Sequence, residues 1–194
     1  MPGSHGDRQG LVTSLSQLAI GIIGTGGMGT RHAVNLYRHV GGARVAAVYD
    51  VDADRAQAAA AAAGGPALFD DPLALVGDPS VDAVIIASPD ATHAGLVQAC
   101  LQHRKPVLCE KPLATSLADA LQIVEAERAL GRQLVAVGLM RRCDPQHLAV
   151  RELVAAGQLG RPILYKGTHR NAAIPYDSRG EVILTNSASH DVDA

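Results

Sequence analysis

Aromatic side chains are scarce in this 194-residue sequence, which holds one Phe, four Tyr and no Trp. Such a chain lacks the stacking platforms on which single-stranded nucleic acid is bound. An excess of positive charge is lacking as well: 17 Lys and Arg stand against 19 Asp and Glu, a formal net charge of -2. No basic face awaits a phosphate backbone, and nucleic acid is not an expected partner. Cysteine is limited to Cys100, Cys109 and Cys143, an odd number without CxxC spacing, so neither a disulfide framework nor a metal site is expected. No segment approaches the roughly 18 uninterrupted apolar residues of a membrane span. The opening MPGSHGDRQGLVTSLS has no apolar stretch long enough for a signal peptide. The expectation is a soluble cytoplasmic protein with no membrane partner and a flexible N-terminus over residues 1–17.

What the sequence has in quantity is short aliphatic runs, within a hydrophobic content of 47%. LAIGIIG (Leu18 to Gly24), ARVAAVYD (Ala43 to Asp50), ALF (Ala67 to Phe69), VDAVIIAS (Val81 to Ser88), PVLCE (Pro106 to Glu110) and QLVAVG (Gln133 to Gly138) read as strands. Their nearly continuous apolar character suits strands covered on both faces, hence a parallel sheet. Helical patterns at 28–40, 52–63, 71–77, 90–103 and 116–131 fall between them. The βαβαβ unit occurs twice, the signature of an α/β fold with a doubly wound parallel Rossmann sheet. The alanine run Ala58 to Ala63 is a helix former with a structural role.

After Gly138 the polar, proline-containing MRRCDP marks a junction. It divides a nucleotide-binding domain at 18–140 from the beginning of a second, α+β domain at 141–194. In the latter, Asp144-Pro145 starts a helix over 145–156, with Gly157 or Gly160 as its stop. ILYKGTHRN (Ile163 to Asn171) reads as a strand, and Asn186 onward as the start of another helix.

Gly24-Thr25-Gly26-Gly27-Met28-Gly29 follows a strand and opens a helix, the context a dinucleotide fingerprint requires. In that reading Gly24 permits the tight turn, Gly26 lets backbone approach a pyrophosphate, and Gly29 lets helix and strand pack closely, with Gly27 and Met28 beside the ligand. Asp50 closes the second strand 21 residues after Gly29, near the spacing of the carboxylate that takes the adenosine ribose hydroxyls. No arginine adjoins Asp50 in sequence, so NAD is favoured over NADP. The plainer alternative makes Asp50 a turn residue before the next helix.

Two further stretches, Ser88-Pro89-Asp90-Ala91-Thr92-His93 and Glu110-Lys111-Pro112, sit at strand carboxyl ends, where open α/β sheets bind ligands. Here the sequence resembles the Gfo/Idh/MocA oxidoreductase family, more particularly its inositol dehydrogenases. The resemblance runs from about Leu18 to the last residue, through GLMRRCDPQH, GQLGRPILYKGTHRN and NSASHDVD. It implies an NAD-dependent dehydrogenase acting on a CH-OH group of a cyclic polyol or sugar. In that family the EKP lysine, here Lys111, binds the substrate hydroxyl beside the nicotinamide; a surface lysine ending a strand is the alternative. His190 resembles the acid/base histidine, with a solvated or capping histidine as the alternative.

Ser88, Pro89 and Glu110 then fall on the cofactor side. His93 begins the helix HAGLVQAC, which favours a capping or packing role over contact with the nicotinamide. Met140, Arg141, His169 and Asn171 resemble positions lining the polyol site, an edge strand with outward polar residues being the other reading of the last two. Four residues before His190 inositol-oxidising members commonly carry an aspartate, and this sequence has Asn186. An amide there cannot ionise, so Asp191, Asp193 or a different substrate class is implied. The family's second domain builds the homo-oligomer, and only its beginning is present, so the sequence resembles a truncated member. A non-catalytic NAD-binding module or remnant is the alternative function.

Overall fold

The computed structural model describes residues 17–168 and 189–193. Six strands form one parallel sheet: β1 (Leu18–Ile23), β2 (Ala43–Tyr49), β3 (Ala67–Leu68), β4 (Ala83–Ile86), β5 (Val107–Cys109) and β6 (Val135–Val137). Their spatial order is β3-β2-β1-β4-β5-β6, so the chain winds outward from β1 in one direction and returns to wind from β4 in the other. The connecting helices are α1 (Gly27–His39), α2 (Ala53–Ala62), α3 (Pro72–Gly77), α4 (His93–Gln102) and α5 (Leu117–Ala129).

Alternation along the strands divides the core into two layers. Ala19 and Ile23 of β1, with Val84 and Ile86 of β4, face one side, where they join Leu75, Val97, Cys100 and Ile123 from α3, α4 and α5. Ile20, Ile22, Ala83 and Ile85 face the other side and meet Ala33 of α1 and Ala60 of α2. In the alanine run, buried Ala59 and Ala60 let α2 lie close to the sheet. Helix starts follow local chemistry: the Asp52 and Asp71 carboxylates accept the first-turn amides of α2 and α3, and Ser116 accepts the Asp119 amide of α5.

Beyond β6, a short 3-10 helix (Met140–Cys143) leads to α6 (Pro145–Ala155), capped by Asp144 with Pro145 at its first position as expected. Gly157 follows at φ +70, a left-handed stop. The expected strand from Ile163 does not form over its described part: residues 161–168 have no regular structure. Ile163 is 96% exposed and Leu164 86%. A strand needs a neighbour to satisfy its backbone, and among the described residues none follows β6. A helical turn, Ser189–Asp193, packs against the Met140–Cys143 segment. Among the described residues no helix is long and apolar enough to cross a membrane.

Candidate functional site

The carboxyl ends of the strands form a single row. Ile23 pairs with Tyr49 and with Ile86, Ile86 with Cys109, and Cys109 with Val137. The residues that follow, Asp50, Gly24, Ala87, Glu110 and Gly138, therefore stand side by side along one edge. Between β1 and β4 the winding direction reverses, and the crevice above this point is where doubly wound sheets take their ligands.

The glycines of the β1–α1 turn separate into two kinds. Gly24 has φ +88, and a Cβ built on it would lie 2.5 Å from the Ser88 nitrogen. A Cβ on Gly29 would lie 1.7 Å from the Gly24 carbonyl oxygen. The protein's own packing requires both. A Cβ on Gly26 or Gly27 would meet nothing within 4 Å. Those two border open space, although their neighbours are crowded. Gly26 is also the N-cap of α1 and offers no side-chain cap, so the first-turn amides face that space at the positive end of the helix. A cavity of about 710 Å³ opens alongside, lined by Gly24, Gly26, Asp50, Arg55, Ser88 and Pro89 among others. Backbone donors, a positive helix end and a surface without Cβ atoms fit a dinucleotide pyrophosphate.

Asp50 is nearly enclosed and fully engaged. Its Oδ2 accepts from the Thr25 amide at 2.7 Å and the Thr25 hydroxyl at 3.1 Å. Its Oδ1 accepts from the Asp52 amide at 2.9 Å and from Arg55 Nη2 at 2.7 Å. Burial pushes the carboxyl up, but the hydrogen bonds from Arg55, Asp52 and Thr25 outweigh it and hold Asp50 at about 2. Arg55 corrects the sequence reading: no arginine adjoins Asp50 along the chain, yet one stands beside it in space, carried there by the first turn of α2. A ribose hydroxyl reaching Asp50 must displace one of four donors, and Arg55, whose side chain is 51% exposed, is the one free to move.

On the other side of the switch point, Glu110 Oε1 receives a hydrogen bond from His32 Nε2 of α1 at 2.8 Å. That bond, opposed by burial and aided by the Lys111 amide and ammonium, holds the Glu110 carboxyl below its ordinary value. His93 is 1% exposed, with Nδ1 2.6 Å from the Pro112 carbonyl and Nε2 2.9 Å from the Ser88 carbonyl. It ties the turn after β4 to the turn after β5, a packing position. Ser88 and Thr92 hydroxyls bond at 2.6 Å.

Lys111 lines a cleft of about 490 Å³ shared with Leu139, Ser189 and Asp193. The helical turn carrying His190 thus lies close to the lysine. His190 is 6% exposed, and Arg142 Nε grips both Asp193 oxygens at 2.9 Å. The ion pair and the burial tie the turn carrying His190 to the Met140–Cys143 segment. Met140 is exposed, and Arg141 Nη1 lies 2.7 Å from His147 Nε2. His169, Asn171 and Asn186 lie outside the described residues.

Sequence reasoning missed Thr25, His32 and Arg55. Arg55 had a readable signal, the three-residue spacing from Asp52 that pairs them on one helical face at 3.3 Å. His32 had none, because its partner is 78 residues away.

The chain is 52% identical over 178 residues to the inositol 2-dehydrogenase of Rubrobacter xylanophilus, an alignment covering 92% of this chain and 51% of that protein. It is 47% identical over 175 residues to inositol 2-dehydrogenase 1 of Saccharopolyspora erythraea, covering 90% and 52%. The chain spans about half the length of these relatives. Among solved structures, myo-inositol dehydrogenase from Lactobacillus casei in complex with NAD(H) and myo-inositol superimposes with a TM-score of 0.72 at 36% identity, over 76% of this chain and 44% of that one. Residues 18–139 match the description "Oxidoreductase family, NAD-binding Rossmann fold". The chain belongs to this Gfo/Idh/MocA oxidoreductase family, and its described sheet is the family's NAD-binding Rossmann fold.

Proposed function

We propose that the chain is the cofactor-binding part of a cytoplasmic NAD-dependent dehydrogenase that oxidises a hydroxyl of an inositol-like polyol or sugar and works as a homo-oligomer once its second domain is complete. The observation that carries this reading is the division of the glycines: Gly24 and Gly29 are filled by the protein, while Gly26 and Gly27 border open space at a helix N-terminus beside Asp50. The identity to inositol 2-dehydrogenases supports the substrate class. Bound nicotinamide supplies the hydride acceptor.

The Lys111 ammonium holds the hydroxyl oxygen and stabilises negative charge developing on it. The His190 imidazole accepts the hydroxyl proton. The family resemblance assigns Met140, Arg141, His169, Asn171 and Asn186 to the polyol side. Asn186 cannot ionise, whereas the Asp193 carboxylate, held below its ordinary range chiefly by Arg142, also interacts with the His190 charge and is the nearest acid in sequence for which a contact is described.

The test is NAD reduction with myo-inositol, other inositols and common sugars, by the 194-residue chain alone and fused to the second half of the Rubrobacter xylanophilus relative. The chain alone binds NAD without turnover, and the fusion turns over. In the fusion, Lys111→Ala abolishes turnover and leaves NAD affinity unchanged; an equal loss of both makes Lys111 structural. A fusion that binds NAD but reduces it with no polyol favours the second reading, a non-catalytic NAD-binding module.

A further inference from the structure

Asp50 and Glu110 occupy equivalent places on the two halves of the sheet. Each follows the carboxyl end of a strand, β2 and β5, on opposite sides of the β1–β4 switch point. By register they share one row and are three strand spacings apart, about 14 Å. Both are ionised carboxylates held by donors from the protein, Asp50 by Thr25 and Arg55, Glu110 by His32 and the Lys111 amide. The adenosine side of the cavity is marked by Asp50. The first turn of α1 stands between the two carboxylates, and His32 lies on the same helix a little further along.

We infer that His32 is a positioning residue for the nicotinamide half of the cofactor: it orients Glu110 to accept a nicotinamide-ribose hydroxyl, as Thr25 orients Asp50 on the adenosine side. This rests on the cofactor reading above.

The chemistry of the pair supports the assignment. A carboxylate only accepts, so the proton in the contact sits on His32 Nε2, and the imidazole donates. A carboxylate has about four lone-pair sites. His32 and the Lys111 amide use two at Glu110, leaving capacity for a hydroxyl, whereas Asp50 has four donors already. Gly138 closes the far side: a Cβ there would lie 3.0 Å from Glu110 Oε2, so the carboxylate is fixed between α1 and the end of β6. The side chain of Glu110 remains 16% exposed and that of His32 24%, enough for a ligand to reach.

Calorimetry with AMP, ADP-ribose and NADH on the 194-residue chain separates these roles, because AMP lacks the second ribose. His32→Leu weakens NADH and ADP-ribose about tenfold and leaves AMP unchanged. His32→Gln, which keeps a donor at similar reach, recovers most of the loss. In Glu110→Gln the further change His32→Leu has little effect, because the group it orients is already altered. Equal weakening of AMP and NADH without recovery in His32→Gln overturns the inference, as does an unchanged ADP-ribose affinity in His32→Leu. If His32→Leu does not fold, Glu110→Gln decides: loss of ADP-ribose affinity with AMP retained upholds the assignment, and any other pattern refutes it. A wild-type chain that binds AMP, ADP-ribose and NADH shows the cofactor reading intact whatever the variants do; one that binds none of them sinks both.

Discussion

At the scale of single residues, the pairing of Asp50 with Arg55 makes cofactor choice a balance between two side chains. Asp50→Ala removes the acceptor for the ribose hydroxyls and the repulsion against a 2′-phosphate, and it releases the Arg55 guanidinium, a good phosphate partner. The expected outcome is weaker NAD binding with NADP favoured relative to it, and loss of the NADP gain in Asp50→Ala/Arg55→Ala. An unchanged NAD to NADP preference in Asp50→Ala means that Asp50 does not touch the ribose. The same residue gives a pH signature. Its folded carboxyl lies at about 2, below the ordinary 3.8, so the ionised form is the one that stabilises the fold. That contribution is complete above about pH 4 and fades as pH falls through about 2. The stability gap between wild type and Asp50→Asn, measured by urea unfolding, is therefore constant near neutrality and narrows only below about pH 4.

At the scale of elements, most boundaries were legible because one local signal dominated each. The aliphatic runs of β1, β2 and β4 are strands buried along most of their length, as their continuous apolar character suggests, whereas the edge strand β3 is exposed and β6 only half-buried. Asp71-Pro72, Ser116 and Asp144-Pro145 carry their own helix starts. Ile163 to Asn171 was apolar and β-branched enough to resemble a strand, but such a pattern describes a side-chain surface and says nothing about whether a partner edge exists. His32 and Glu110 were illegible as a pair for a related reason: neither α1 nor β5 encodes which residue the other presents.

The packing of α4 and β5 makes a separate prediction. Burial pushes the Cys100 and Cys109 thiols up to about 12, and both are enclosed in the core, while Cys143 is exposed. Ellman's reagent reacts with one thiol in the native chain and with three after unfolding. Rapid reaction of a second native thiol would mean that α4 does not stay closed on the sheet.

At the scale of the whole molecule, the fold was readable because six strands and a glycine fingerprint agree with one topology, and that agreement is itself the mark of a sequence that specifies a structure. The site was readable where it lies along a strand end, as with Gly24, Asp50 and Glu110, and unreadable where it depends on a side chain crossing from another element, as with Arg55 and His32. His190 shows the same limit: its burial depends on Arg142 holding Asp193, a contact 51 residues apart. The central claim is that the chain carries a preformed dinucleotide cradle, and its most direct test compares NADH binding and stability in wild type, Gly26→Ala and Gly29→Ala. Wild type binds NADH with an affinity on the order of micromolar. A methyl at Gly26 has room in the free chain, so Gly26→Ala changes stability by less than about 1 kcal/mol yet abolishes measurable NADH binding. A methyl at Gly29 strikes the Gly24 carbonyl, so Gly29→Ala loses about 3 kcal/mol or more. A Gly26→Ala chain that folds normally and binds NADH as well as wild type would contradict the account.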